Sequence, residues 1–123
     1  IYPESHYGRD ALVGVGLFLS HFVAEGKSMT ALKATYPQYF ISKNKLTLSP
    51  DMDVDKILEG LKEKYASEEI TDIDGVKIDF KDGWVHLRKS NTEPIIRIYS
   101  ESKDEAAANR LAEEVIKVAK SLY

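Results

Sequence analysis

The sequence predicts an α+β fold: an antiparallel sheet of four to five strands with helices packed on one face, preceded by a helical segment. Three observations carry this. Short runs of strand-like alternation recur between Tyr39 and Tyr99. Two amphipathic helical stripes flank most of them, one after Asp53 and one after Ser102. The resulting order, β-α-β-β-β-β-α, favours hairpin-linked neighbours and places both helices on one side of the sheet. A chain of 123 residues with 43% hydrophobic side chains suffices for one cored domain, or one domain with a piece of another.

From the start, Ile1 to Tyr7 reads as extended or irregular, with Pro3 discouraging helix. Asp10 to Glu25 has a helical pattern, with Asp10 as N-cap and Gly26 as C-cap. Its apolar residues, among them Leu12, Val15, Phe18, Phe22 and Val23, go nearly all the way round, so this helix expects neighbours on more than one side. Ser28 caps a short helix reaching Tyr36, which Pro37 stops. Tyr39 to Leu48 reads as a strand with a bend at Lys43-Asn44-Lys45. Val54, Ile57, Leu58, Leu61 and Tyr65 then form a single buried helical stripe.

Ile70 to Ile73 turns through Asp74-Gly75 into Val76 to Phe80, and Lys81-Asp82-Gly83 turns again into Trp84. At the end, Ser102 and Glu105 have the spacing of a capping box. The helix that follows sets Leu111, Val115, Val118 and Leu122 on one face.

The stretch from Trp84 to Glu101 is expected to be a hairpin. Val85 and Leu87 share one face with Ile96 and Ile98. Trp84, His86 and Arg88 share the other with Ile95, Arg97 and Tyr99. The expected register sets residue 88 opposite 95, 86 opposite 97 and 84 opposite 99. The connection, Lys89-Ser90-Asn91-Thr92-Glu93-Pro94, is then a loop flanked by two arginines. Arginine forks match the oxygens of a phosphate. Ser90 and Thr92 add hydroxyls, Asn91 an amide, and a turning backbone can present N–H groups as an anion nest. The same composition also describes an ordinary polar turn.

The order of these residues decides between the two. Arg88-Lys89-Ser90-Asn91-Thr92-Glu93-Pro94, with Arg97 beyond, matches every fixed position of R-x-S-N-T-E-P-x-x-R. This is the phosphate-binding signature in the C-terminal domain of the α-D-phosphohexomutases, the phosphoglucomutase and phosphomannomutase family, which the chain therefore resembles. Gly8-Arg9-Asp10-Ala11-Leu12 also resembles the helix start that follows the sugar-binding loop of that family's third domain. The resemblance implies that residues 1–38 are a helical remnant of that α/β domain. It implies that residues 39–123 are the fourth domain, with a TATA-binding-protein-like sheet. With no Met at its start, the chain reads as a fragment.

For function, the resemblance implies an enzyme that moves phosphate between the 1- and 6-positions of a hexose phosphate. A phosphoserine in the first domain and Mg²⁺ in the second do the transfer. Both lie outside these residues, so the fragment is expected to be inactive alone and to work with the missing domains 1–3. The implied phosphate anchor is Arg88, Ser90, Asn91, Thr92 and Arg97. Lys89 is expected to add only backbone N–H or diffuse charge, and Glu93 to hold the loop by bonding a neighbouring N–H or an arginine. Asn91, where glucosamine enzymes usually carry Gly, leans toward glucose or mannose.

Composition excludes several other classes. A net charge of −3 gives no global attraction to nucleic acid or an anionic membrane. The absence of cysteine removes disulfides, thiolate metal sites and a cysteine nucleophile, and suits a cytoplasmic protein. His6, His21 and His86 are scattered without ligand spacing. Asp51, Asp53 and Asp55 alternate, yet lack the glycine and terminal glutamate of a calcium loop, and a helix dipole explains them better. The rivals are a single-stranded RNA module using Trp84 and Tyr99, and a structural domain whose arginines pair with Glu93 or Glu101.

Overall fold

In the computed structural model, which describes residues 1–123, the chain divides between Pro37 and Gln38 into two units. The first contains α1 (Ala11–Glu25) and α2 (Met29–Lys33). Asp10 caps α1 by accepting from the Val13 N–H at 3.0 Å, and Gly26 ends it in the left-handed conformation. The Gly8 N–H donates to His6 Nδ1, so His6 Nε2 carries its proton toward Asp10 Oδ2, 2.8 Å away. That bond, with the Val13 N–H, holds the Asp10 carboxyl below the usual carboxylate range. No residue of α1 is buried, and Leu12 and Val23 are among its most exposed side chains. Helix α2 is shorter than its pattern predicts: Thr35 turns its hydroxyl back to the Leu32 carbonyl, and the chain leaves the helix before Pro37.

The second unit runs β1 (Phe40–Thr47), α3 (Val54–Lys64), β2 (Glu69–Thr71), β3 (Val76–Phe80), β4 (Gly83–Lys89), β5 (Ile95–Ser102) and α4 (Glu105–Lys120). The five strands form one antiparallel sheet in the order β1-β5-β4-β3-β2. Strands β2 to β5 are sequential neighbours, while β1 joins at the far side, against β5. Helix α4 packs on β5, β1 and β4, and α3 packs on β3 and α4. The core between helices and sheet holds Ile57 and Leu61 of α3, Val115 and Ala119 of α4, and Val76, Ile78, Val85, Leu87, Ile96 and Ile98 of the strands. Neither α3 nor α4 covers the opposite face of the sheet, which is the polar face of the Trp84–Glu101 hairpin.

Several expectations are corrected. The hairpin faces are as expected, but the register is displaced by two residues: Arg88 pairs with Arg97, His86 with Tyr99 and Trp84 with Glu101. A two-residue slip leaves every side chain on its own face, so alternation cannot detect it. Strand β1 has no bend at Lys43-Asn44-Lys45, because eight consecutive pairs with β5 hold it extended. The β2–β3 connection is wider than an Asp74-Gly75 two-residue turn, since Thr71 pairs with Lys77.

Helix α4 starts differently as well. Ser102 is a buried member of β5 and donates to the Asp82 carbonyl at 2.6 Å, so it cannot cap. Asp104 caps instead, accepting from the Ala107 N–H at 2.7 Å. The buried stripe of α4 is Ala108, Ala112, Val115 and Ala119, with Leu111 and Val118 at its margin and Leu122 beyond the helix end. Small side chains let the helix backbone approach the sheet, and Ser100 uses that closeness to donate to the Ala108 carbonyl at 2.7 Å.

Two glycines are required by proximity. A Cβ on Gly83 would lie 2.2 Å from the Glu101 carbonyl oxygen. One on Gly75, whose φ is +79°, would lie 2.1 Å from the Leu87 carbonyl oxygen. Gly75→Ala is therefore expected to destabilise the domain by about 1–3 kcal/mol from the left-handed backbone alone, measured by denaturant unfolding. Asp104→Ala should cost about 1 kcal/mol, and Glu105→Gln much less, because the cap is Asp104 and not a Ser102–Glu105 box.

Candidate functional site

The loop between β4 and β5 comprises Ser90 to Pro94 and is held by its own backbone. Ser90 N–H donates to the Ile95 carbonyl at 3.0 Å, and Ile95 N–H to the Glu93 carbonyl at 2.8 Å. Pro94 accepts from the Leu48 N–H at 2.9 Å, which fastens the loop to the segment leaving β1. Within the loop, Thr92 N–H points to the Ser90 hydroxyl at 3.5 Å. This frame encloses a recess of about 200 Å³ lined by Arg88, Lys89, Ser90, Asn91, Thr92 and Arg97. The structure thus brings together all five residues singled out in the sequence, with Lys89 beside them at the end of β4.

The charge arrangement around this recess is unusual for a sheet. Arg88 lies directly across from Arg97, and Arg97 directly across from Lys45 of β1. Three cations therefore form one row across three adjacent strands. Like charges placed opposite each other destabilise a sheet, by roughly 0.2–1 kcal/mol per pair. Two acids partly offset the row. Arg88 Nε is 3.0 Å from Asp74 Oδ2, and Arg97 Nη2 donates to Glu93 Oε2 at 3.4 Å. All four side chains are about half exposed, so these pairs contribute little stability of their own. A row of cations of this kind has the charge that an oxyanion would complement.

The next row of the same face is Lys43, Tyr99, His86 and Lys77, again in direct register. Lys43 Nζ lies 5.8 Å from the centre of the Tyr99 ring. His86 Nε2 lies 2.7 Å from the Asp74 carbonyl oxygen, which can only accept, so the ring donates there. Trp84 donates to Glu101 Oε1 at 3.0 Å and has Lys77 over its ring, so it is not an open stacking platform for a nucleic-acid base. Glu101 thus serves Trp84 and not an arginine. No group of three or more His, Asp or Glu side chains is arranged to hold a metal ion. Asp53 caps α3 through the N–H groups of Asp55 and Lys56. No helix is long and apolar enough to cross a membrane.

Sequence reasoning missed two neighbours of the recess, Lys45 and Asp74. The alternation of Lys43 and Lys45 marks them as one face of β1. Placing that face beside Arg97 requires knowing that β1 pairs with β5. Asp74 reads locally as a turn residue, and only the β3–β4 pairing delivers its carboxylate to Arg88.

The family profile described as "Phosphoglucomutase/phosphomannomutase, C-terminal domain" matches residues 43–118. A phosphoglucosamine/phosphogalactosamine mutase of Sulfurisphaera tokodaii is 40% identical over 96% of this chain. A phosphoglucomutase/phosphomannomutase of Thermococcus kodakarensis is 38% identical over 96%. The chain spans about a quarter of the length of these relatives, 26% of each. Their names cover both hexose and hexosamine phosphates, which leaves the leaning on Asn91 without support. A crystal structure of a phosphoglucomutase/phosphomannomutase family protein from Burkholderia thailandensis superposes with a TM-score of 0.53 over 73% of this chain and 20% of that one, at 27% identity. The chain belongs to the phosphoglucomutase/phosphomannomutase family and carries its C-terminal domain.

Proposed function

We propose that this chain is the C-terminal portion of a longer phosphohexomutase, and that the β4–β5 recess anchors the non-reacting phosphate of the hexose phosphate. The observation that carries this is the row of Lys45, Arg97 and Arg88 beside a recess lined with hydroxyl, amide and guanidinium groups. In this reading Arg88 and Arg97 meet the phosphate oxygens from the sheet. Ser90, Asn91 and Thr92 meet them from the loop, and Lys89 adds charge or backbone N–H. Glu93 keeps the Arg97 fork in place through the contact already described.

Such a site contributes by positioning. Phosphoryl transfer depends on alignment and on stabilising charge, and gripping the distal phosphate orients the reacting end. The phosphoryl-carrying serine and the Mg²⁺, which would neutralise charge on the moving group, belong in this reading to other domains of the longer chain. The present residues alone would then be catalytically inactive. Residues 1–38 are read as the tail of the preceding domain, and the apolar side chains exposed along α1 support that.

In the longer enzyme, Arg88→Ala should lower kcat/KM about tenfold to a hundredfold, the loss expected for one charge-assisted hydrogen-bonding group. An unchanged kcat/KM would remove the anchor from the loop. Raising ionic strength should also weaken substrate binding, since the guanidinium groups are half exposed and open to screening. A KM that stays flat between low and high salt would argue against an electrostatic anchor.

A further inference from the structure

Asp74 stands outside the recess, on the turn between β2 and β3, yet three features tie that turn to Arg88. Its carboxylate reaches Arg88 at Nε, 3.0 Å away, the guanidinium nitrogen nearest the side-chain stem. Its carbonyl accepts the His86 Nε2–H at 2.7 Å, and His86 lies two residues from Arg88 on the same strand face. Gly75 brings the turn hard against the β4 backbone, where an added Cβ would meet the Leu87 carbonyl and come within 3.1 Å of Arg88 Cα. On its far side the turn is held to α3 by Lys62 Nζ, 3.1 Å from Asp72 Oδ2. The turn is thus held at both flanks, and from it the Asp74 carboxylate meets the Arg88 guanidinium at Nε.

We infer that Asp74 is the positioning residue of the anion recess. It holds Arg88 by Nε, so that the two terminal nitrogens point as a fork toward the bound oxyanion. The inference rests on the reading of the recess as a phosphate anchor. Arginine has enough donors for both tasks at once: one edge for the carboxylate and the other for a phosphate. Without the carboxylate, the long side chain must be ordered by the ligand itself, at a cost in affinity. His86 takes part indirectly, by fixing the backbone of the turn that carries the carboxylate.

The opposite sign of two effects makes this testable. A carboxylate merely close to an anion site repels the anion, so removing it tightens binding. A carboxylate that orients the fork does the reverse. In the longer mutase, Asp74→Asn should raise KM for the hexose phosphate about fivefold, the upper end for an exposed ion pair, with kcat changed less. In an Arg88→Ala background the same substitution should add nothing, because Asp74 acts through Arg88. Asp74 is well exposed and asparagine keeps its shape, so the variant should fold, and its thermal midpoint verifies that. A lowered or unchanged KM, or an equal rise in the Arg88→Ala background, would overturn the inference while leaving the anchor intact. An Arg88→Ala enzyme with unaltered kcat/KM would instead remove the anchor reading beneath it.

Discussion

Burial of the inner face of β4 and β5 is the constraint on which the rest of this domain depends, and it sets Arg88 against Arg97 on the outer face. Two guanidinium groups on adjacent antiparallel strands repel each other, and the ladder tolerates them because the other face of the same residues' neighbours is fully buried. Val85, Leu87, Ile96 and Ile98 have essentially no exposed surface, and each contributes roughly 1.5–3 kcal/mol on burial. That far exceeds one like-charge cross-strand penalty. The hydrophobic side of the sheet therefore dictates the strand faces, and the polar side accepts the electrostatic consequence. In the proposed function, a counter-anion in the recess would turn that consequence into binding.

What selects this register among those with the same faces is not hydrophobicity. A shift by one residue would expose the core, whereas a shift by two preserves it and moves Arg97 diagonally away from Arg88. The choice is made at the two ends of the hairpin. At one end, Gly83 sits opposite Ser102, the absence of a side chain lets it approach the Glu101 carbonyl, and Ser102 closes onto Asp82. At the other, Ser90 N–H reaches the Ile95 carbonyl and so leaves four residues, Asn91 to Pro94, between them. These contacts are specific to atoms and not to residue class, which is why alternation alone placed residue 88 opposite 95.

The same distinction accounts for what was legible elsewhere. Features set by near neighbours in the chain were readable: the Asp10 cap and Gly26 stop of α1, the Val54–Tyr65 stripe of α3, and the element order of the second unit. Features set by contacts between distant segments were not. The straightness of β1 comes from β5, and the inward turn of Ser102 comes from the β3–β4 connection. The buried stripe of α4 follows from close helix–sheet approach, which favours alanines over the leucines that a hydrophobic count selects. The recess follows the same rule. Its loop is contiguous in sequence and carries a recognisable signature, while Lys45 and Asp74 come from segments far along the chain and join it only through sheet order.

The presence of two acids beside the proposed anion site needs a physical reason, and exposure supplies it. Arg88 and Arg97 are each about half exposed, so water and salt already screen much of their attraction for a phosphate. In such a setting the number of positive charges matters less than the entropy lost in ordering long side chains around a ligand. Asp74 and Glu93 reduce the net local charge, yet in the proposed site each would hold one fork in advance. The exchange is favourable when charge is screened and unfavourable when it is not. An open recess of this kind is therefore expected to bind an isolated phosphate weakly. It would become strong only when the rest of a substrate, and the protein that covers it, exclude the solvent that weakens each contact.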